Sequence, residues 1–125
     1  MTERAAVQYR GRRLPSGCII ERKDLSIPGR GAWSRLSPIK SLRLRNHSPD
    51  GFEWGYEGSG PAQTALALVL DFTRDRVLAL SVYQQFKSKV VACLAREWIL
   101  TGAQVSEAIS GIRTDRRANR QSTAC

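Results

Sequence analysis

The sequence predicts an α+β domain: an antiparallel sheet of about four strands, built from two N-terminal hairpins and packed against three helices. Three observations predict it. Upstream of residue 57, apolar residues alternate in short runs separated by turn residues. Downstream of residue 60, they recur at helical spacing. Between the two, residues 51–70 run from an aromatic strand through a glycine-rich loop into a strongly apolar helix start.

Residues 5–10 alternate around Val7 and Tyr9, which predicts a first strand. Pro15-Ser16-Gly17 is turn chemistry, and residues 18–22 then read as a second strand. Together they predict a hairpin whose connection is crowded with Arg10, Arg12 and Arg13. Residues 23–40 are interrupted by Pro28, Gly29, Gly31 and Pro38, and read as a basic loop pinned by Trp33 and Leu36. Residues 41–46 alternate strictly, Leu42 and Leu44 against Arg43 and Arg45. Asp50-Gly51 is a strong turn pair, and Phe52, Trp54 and Tyr56 alternate after it. Residues 41–56 therefore read as a second hairpin.

Gly60 is expected to cap the next helix, with Pro61 at its first position and Gln63 reaching back to the cap. Residues 62–72 are apolar nearly all round, so this is the central helix. Residues 73–75 break and recap the chain. A helix over 76–94 carries Ala79, Val82, Tyr83, Phe86, Val90, Cys93 and Leu94 on its core stripe. Residues 96–100 read as a short extended link. Thr101 and Gln104 form a capping box for a third helix, whose stripe is Val105, Ala108, Ile109 and Ile112. The domain is thus assigned to residues 1–112, and 113–125 to a basic, disordered tail.

The length of 125 residues suits one core. No apolar run is long enough to span a membrane, and the first residues lack the apolar region of a signal peptide. Three scattered cysteines fit a reduced, cytoplasmic protein better than a disulfide framework. The net charge of +9 is uneven. Residues 1–50 carry eleven Lys/Arg against four Asp/Glu, whereas residues 51–100 carry five of each. The basic half predicts an anionic partner, either a protein complex or nucleic acid.

Four groups of residues could carry chemistry. The loop Gly58, Ser59, Gly60 with Gln63 opens a helix and could hold an anion on free N–H groups. It lacks both the dinucleotide fingerprint and the Lys-Ser/Thr of a P-loop. His47, Glu53 and Glu57 could hold a metal, but a single histidine without a second ligand pair weighs against it. Cys18, Cys93 and Ser59 lack a predictable base, and Ser59 is in no nucleophile elbow. The basic set Arg10, Arg12, Arg13, Arg30, Arg35, Arg43 and Arg45, from the two hairpins and the loop between them, offers a polyanion surface. The expectation is a non-catalytic binding protein, without cofactor or metal, that docks on an anionic partner through that surface. A nucleotide- or nucleic-acid-binding module at the 58–63 loop is the alternative.

The string from Leu44-Arg45-Asn46-His47-Ser48-Pro49 through Gly51-Phe52-Glu53-Trp54-Gly55-Tyr56 to Gly58-Ser59-Gly60-Pro61-Ala62-Gln63 and Ala65-Leu66-Ala67-Leu68 resembles the mark of a small uncharacterised domain family of bacteria, phages and plasmids. Tyr9 to Arg13, Gly17-Cys18, Tyr83 to Lys87 and Trp98 with Thr101 extend the likeness over roughly residues 7–112. Glu57, residues 23–40 and the arginine-rich tail depart from the family pattern. The resemblance implies a mobile-element setting, in which inhibition of a host defence complex such as a CRISPR effector is the most concrete form of docking.

Overall fold

A computed structural model of the chain describes residues 6–26 and 31–118. The architecture is α+β. A four-stranded antiparallel sheet has the order β3-β2-β1-β4, and its strands are β1 (Val7–Leu14), β2 (Gly17–Asp24), β3 (Ser34–Arg35) and β4 (Trp98–Thr101). The helices are α1 (Ile39–Leu44), α2 (Ser59–Thr73), α3 (Arg76–Lys89) and α4 (Gly102–Ala118). A short 3-10 turn, Val91–Cys93, follows α3.

The first hairpin forms, with longer strands than the alternation suggests. Leu14 pairs with Gly17 across a two-residue turn at Pro15-Ser16, and Gly17 takes φ +131. Arg10, Arg12 and Arg13 therefore lie within β1 and not in a connection. The strand's inner face carries Val7, Tyr9 and Gly11, all buried. A Cβ at Gly11 would lie 2.3 Å from Cε2 of Trp98, its partner on β4. Glycine is required there because the indole lies against the backbone.

The second hairpin does not form. Residues 39–44 are a helix, and residues 45–58 contain no strand. A six-residue alternation is too short to separate the two periods, and a tertiary contact decides between them. Ser41, buried in α1, donates to the Pro38 carbonyl and accepts a hydrogen bond from Gln63 Nε2 at 3.0 Å. The turn chemistry survives without its hairpin: the Gly51 amide donates to the Ser48 carbonyl, with Gly51 at φ +111. The segment expected to be an extended link, residues 96–100, instead supplies the fourth strand.

The expected cap of α2 also differs. The helix begins at Ser59, with Gly58 as its cap residue and no side-chain cap bond. Gln63 is fully buried, and its Oε1 accepts the amides of His47 (2.7 Å) and Ser48 (3.1 Å). It clamps the preceding loop to the helix. Twelve of the fifteen residues of α2 are buried, which confirms it as the central helix.

Residues 73–75 do break and recap the chain: Asp75 Oδ1 accepts the Leu78 amide at 3.0 Å. The Thr101/Gln104 box is present in both directions, at 3.1 and 2.8 Å. Cys93, expected on the core stripe of α3, lies beyond that helix and is exposed. The segment 113–118, expected as disordered tail, continues α4. Lys89 Nζ pairs with Asp115, and the Arg116 guanidinium donates to the Ser81 carbonyl, tying that end of α4 to α3. Residues 119–125 lie outside the described residues.

Gly11→Ala is expected to cost about 1–3 kcal/mol by overpacking against Trp98, lowering the melting midpoint by several degrees. An unchanged midpoint in thermal denaturation would show that the indole moves freely. Gln63→Leu keeps the volume but strands two loop amides and removes the donor to the Ser41 hydroxyl, and should cost about 2–4 kcal/mol in chemical denaturation.

Candidate functional site

The pleat divides the arginines of β1 between the two faces of the sheet. Arg10 and Arg12 share the face opposite Tyr9 and Gly11, whereas Arg13 points toward the core side. The outer face also carries Ile19, Glu21 and Lys23 of β2, Arg35 of β3 and Ile99 of β4, since Ile99, Arg10, Glu21 and Arg35 are successive cross-strand partners. Ile99 is 60% exposed, so no helix covers this face at its β4 edge. Among the described strand residues of this face, four cations thus stand beside one carboxylate.

Trp33 lies on this face. Arg10 and Lys23 sit over its ring, 4.3 and 4.7 Å from the centroid. The two cations also flank Glu21 along the sheet, and Arg10 bonds it at 2.7 Å, Arg12 at 3.3 Å. Desolvation pushes the Glu21 carboxyl up, but the two arginine hydrogen bonds outweigh it and hold its pKa below the ordinary value. Glu21 is therefore an anchor that orients Arg10 and Arg12 and leaves the face with a surplus of positive charge. Arg35 makes no ion pair among the described residues.

The other basic candidates fall elsewhere. Arg13 pairs with Glu53 at 3.0 Å, lies over the Trp54 ring and donates to the Trp54 carbonyl. It is part of the seam between sheet and loop. Arg43 and Arg45 are exposed on or just after α1, away from the sheet, because the strand expected to carry them is a helix. Arg30 lies outside the described residues. Lys23 was not among the sequence candidates. Extending the Ile19, Glu21, Lys23 alternation by one residue pair would have found it, since the strand runs to Asp24.

The glycine loop is filled. Gly60 is buried, and a Cβ there would lie 2.6 Å from that of Glu53. A Cβ at Gly58 would meet the Tyr56 ring at 2.8 Å. Gln63 Oε1 and Nε2 are both engaged, and only Ser59 in the quartet is exposed. These glycines admit a close approach of the chain to itself.

His47, Glu53 and Glu57 are not brought together. His47 Nε2 bonds Tyr83 Oη at 2.7 Å, Glu53 holds Arg13, and Glu57 pairs with Lys87 at 3.2 Å. Among the described residues no three potential metal ligands cluster. The Cys18 thiol is pushed up, first by burial and then by Glu53, the reverse of what an activated nucleophile needs. Among the described residues no helix is long and apolar enough to cross a membrane.

The model of DUF6166, a family of unknown function, matches residues 9–111. Neither a curated protein nor a solved structure matches the chain.

His47 sets one pH response. Desolvation, then the charges of Arg45 and Lys87, lower its pKa from the ordinary 6.5. The unfolded chain therefore takes up a proton below about pH 6.5 that the folded one resists, and stability falls as pH drops through that range. Melting midpoints should decline from neutral pH toward pH 5.5 in the parent and less steeply in His47→Gln. Equal declines would assign the loss to other groups.

Proposed function

We propose that this chain, which belongs to DUF6166, is a non-catalytic binding protein that docks on an anionic partner through the open face of its sheet. One observation carries the reading: among the described strand residues Arg10, Arg12, Lys23 and Arg35 share that face with one carboxylate, Glu21, beside Trp33 and the exposed Ile99. Such a mixture of cations and apolar surface suits a protein partner with an acidic rim and an apolar centre. In the mobile-element setting implied by the resemblance, the most concrete version is a protein that sits on a host defence complex and blocks it.

A second reading is a single nucleic-acid strand, favoured by Trp33 and the cations around it. Phosphates would lie on the arginines and one base would stack on the indole. A lone aromatic ring makes a small platform, so the protein partner stands first.

Binding of a glutamate-rich peptide and of a short single-stranded oligonucleotide tests both readings. With four engaged cations, oligonucleotide affinity should fall roughly thirty- to fiftyfold between about 50 and about 200 mM salt. Combining Arg12→Glu with Arg35→Glu should remove binding to either ligand. Trp33→Ala should weaken the oligonucleotide selectively if the second reading holds. Binding that ignores both salt and charge reversal would sink the proposal.

A further inference from the structure

We infer a second site, on the helical side of the sheet, for a sugar phosphate, free or as part of a nucleotide. It is a cleft of about 410 Å³ between α1 and the corner where α2 meets α3. That volume lies in the range of small-ligand sites. Leu36, Ala67 and Leu70 give it an apolar wall, and Lys40, Arg74 and Arg76 supply three cations. None of the three makes an ion pair among the described residues. The open sheet face plays no part in it.

Two of these cations occupy positions that local structure disfavours. Arg74 holds φ 54 and ψ 31, and it is the only non-glycine residue with positive φ among those described. Glycine is the usual occupant of a helix end of this geometry, because a Cβ is strained there. Arg76 is the first residue of α3, at the positive end of a 14-residue helix capped by Asp75, where the helix dipole disfavours a cation. Both arginines also line a second hollow of about 700 Å³ that adjoins the first. Breaches of local rules that converge on one cavity point to a ligand.

Asp71 adds the second recognition element. Its Oδ2 accepts the Tyr9 hydroxyl at 2.6 Å and Arg22 Nε at 2.9 Å, which anchors the carboxylate and offsets its charge. Oδ1 has no protein donor among the described residues, and Asp71 lines the cleft. An oriented acceptor beside unpaired cations matches a molecule with hydroxyl donors at one end and a phosphate at the other. Inorganic phosphate would bring no sugar to the apolar wall and the oriented acceptor, and a nucleoside would leave the cations unused.

Thermal shift and titration calorimetry with ribose 5-phosphate, ADP, pyrophosphate and adenosine test the site. Ribose 5-phosphate or ADP should raise the midpoint by several degrees at about a hundred times its Kd, and the stronger of the two tells free from nucleotide-borne sugar phosphate. Pyrophosphate and adenosine should bind at least about tenfold more weakly. Arg74→Gly relieves the strained backbone, so it should leave the unliganded midpoint unchanged or higher while removing the ligand shift. Arg76→Gln should raise Kd about tenfold or more. Should Arg74→Gly fold poorly, Arg76→Gln and Lys40→Gln, both at exposed positions, carry the same test. No shift with either sugar phosphate at millimolar concentration, a shift retained in the variants, or pyrophosphate equal to both would overturn the inference.

Discussion

A helix that is apolar on every side must be covered on every side. That constraint on α2 organises the molecule. The sheet takes one flank, held by the Asp71 carboxylate that receives Tyr9 from β1 and Arg22 from β2. Burial and the neighbouring Asp71 together push the Tyr9 phenol far above its ordinary pKa, so it stays a donor. Helices α3 and α4 take other flanks. What is left is covered by α1 and the loop that follows it. The buried amide of Gln63 fastens that cover, because a polar group in a dry interior must find partners and the loop amides supply them.

The same cover explains the loop's aromatic and glycine content. Phe52 and Trp54 are buried against the helix, and Thr64 holds Glu53 by both backbone groups, accepting its amide at 3.1 Å and donating to its carbonyl at 2.6 Å. Trp54 meets Trp98 edge to face at 5.4 Å, and Trp98 lies on Gly11. A chain of contacts thus runs from the central helix through the loop to the middle strand of the sheet. The string that makes the sequence recognisable is largely the chemistry of this seam. The two surfaces proposed to bind partners lie in the parts the seam does not use: the outer pleat of the sheet and the α1 cleft.

The charge asymmetry has a corresponding physical basis. Arginines three positions or fewer apart in β1 serve different ends, because neighbouring side chains on a strand point to opposite faces. Arg13 is consumed by Glu53 and Trp54, while Arg10 and Arg12 face outward beside Lys23. A count of charges along the chain could not make that separation. Nor could it find the α1 cleft, whose cations come from residues 40, 74 and 76 and whose acceptor comes from residue 71.

Sequence alone determined what depends on near neighbours. Pro15-Ser16-Gly17 specified the first hairpin, Thr101 and Gln104 specified the start of α4, and continuous apolarity marked α2 as central. It also placed the basic excess in residues 1–50. Tertiary structure decided what depends on distant partners. Residues 39–44 became helix where Ser41 meets Gln63 across the core, and the fourth strand came from residues 98–101, where Trp98 packs over Gly11. Short segments have nearly balanced local preferences, so a single buried contact from elsewhere in the chain tips them.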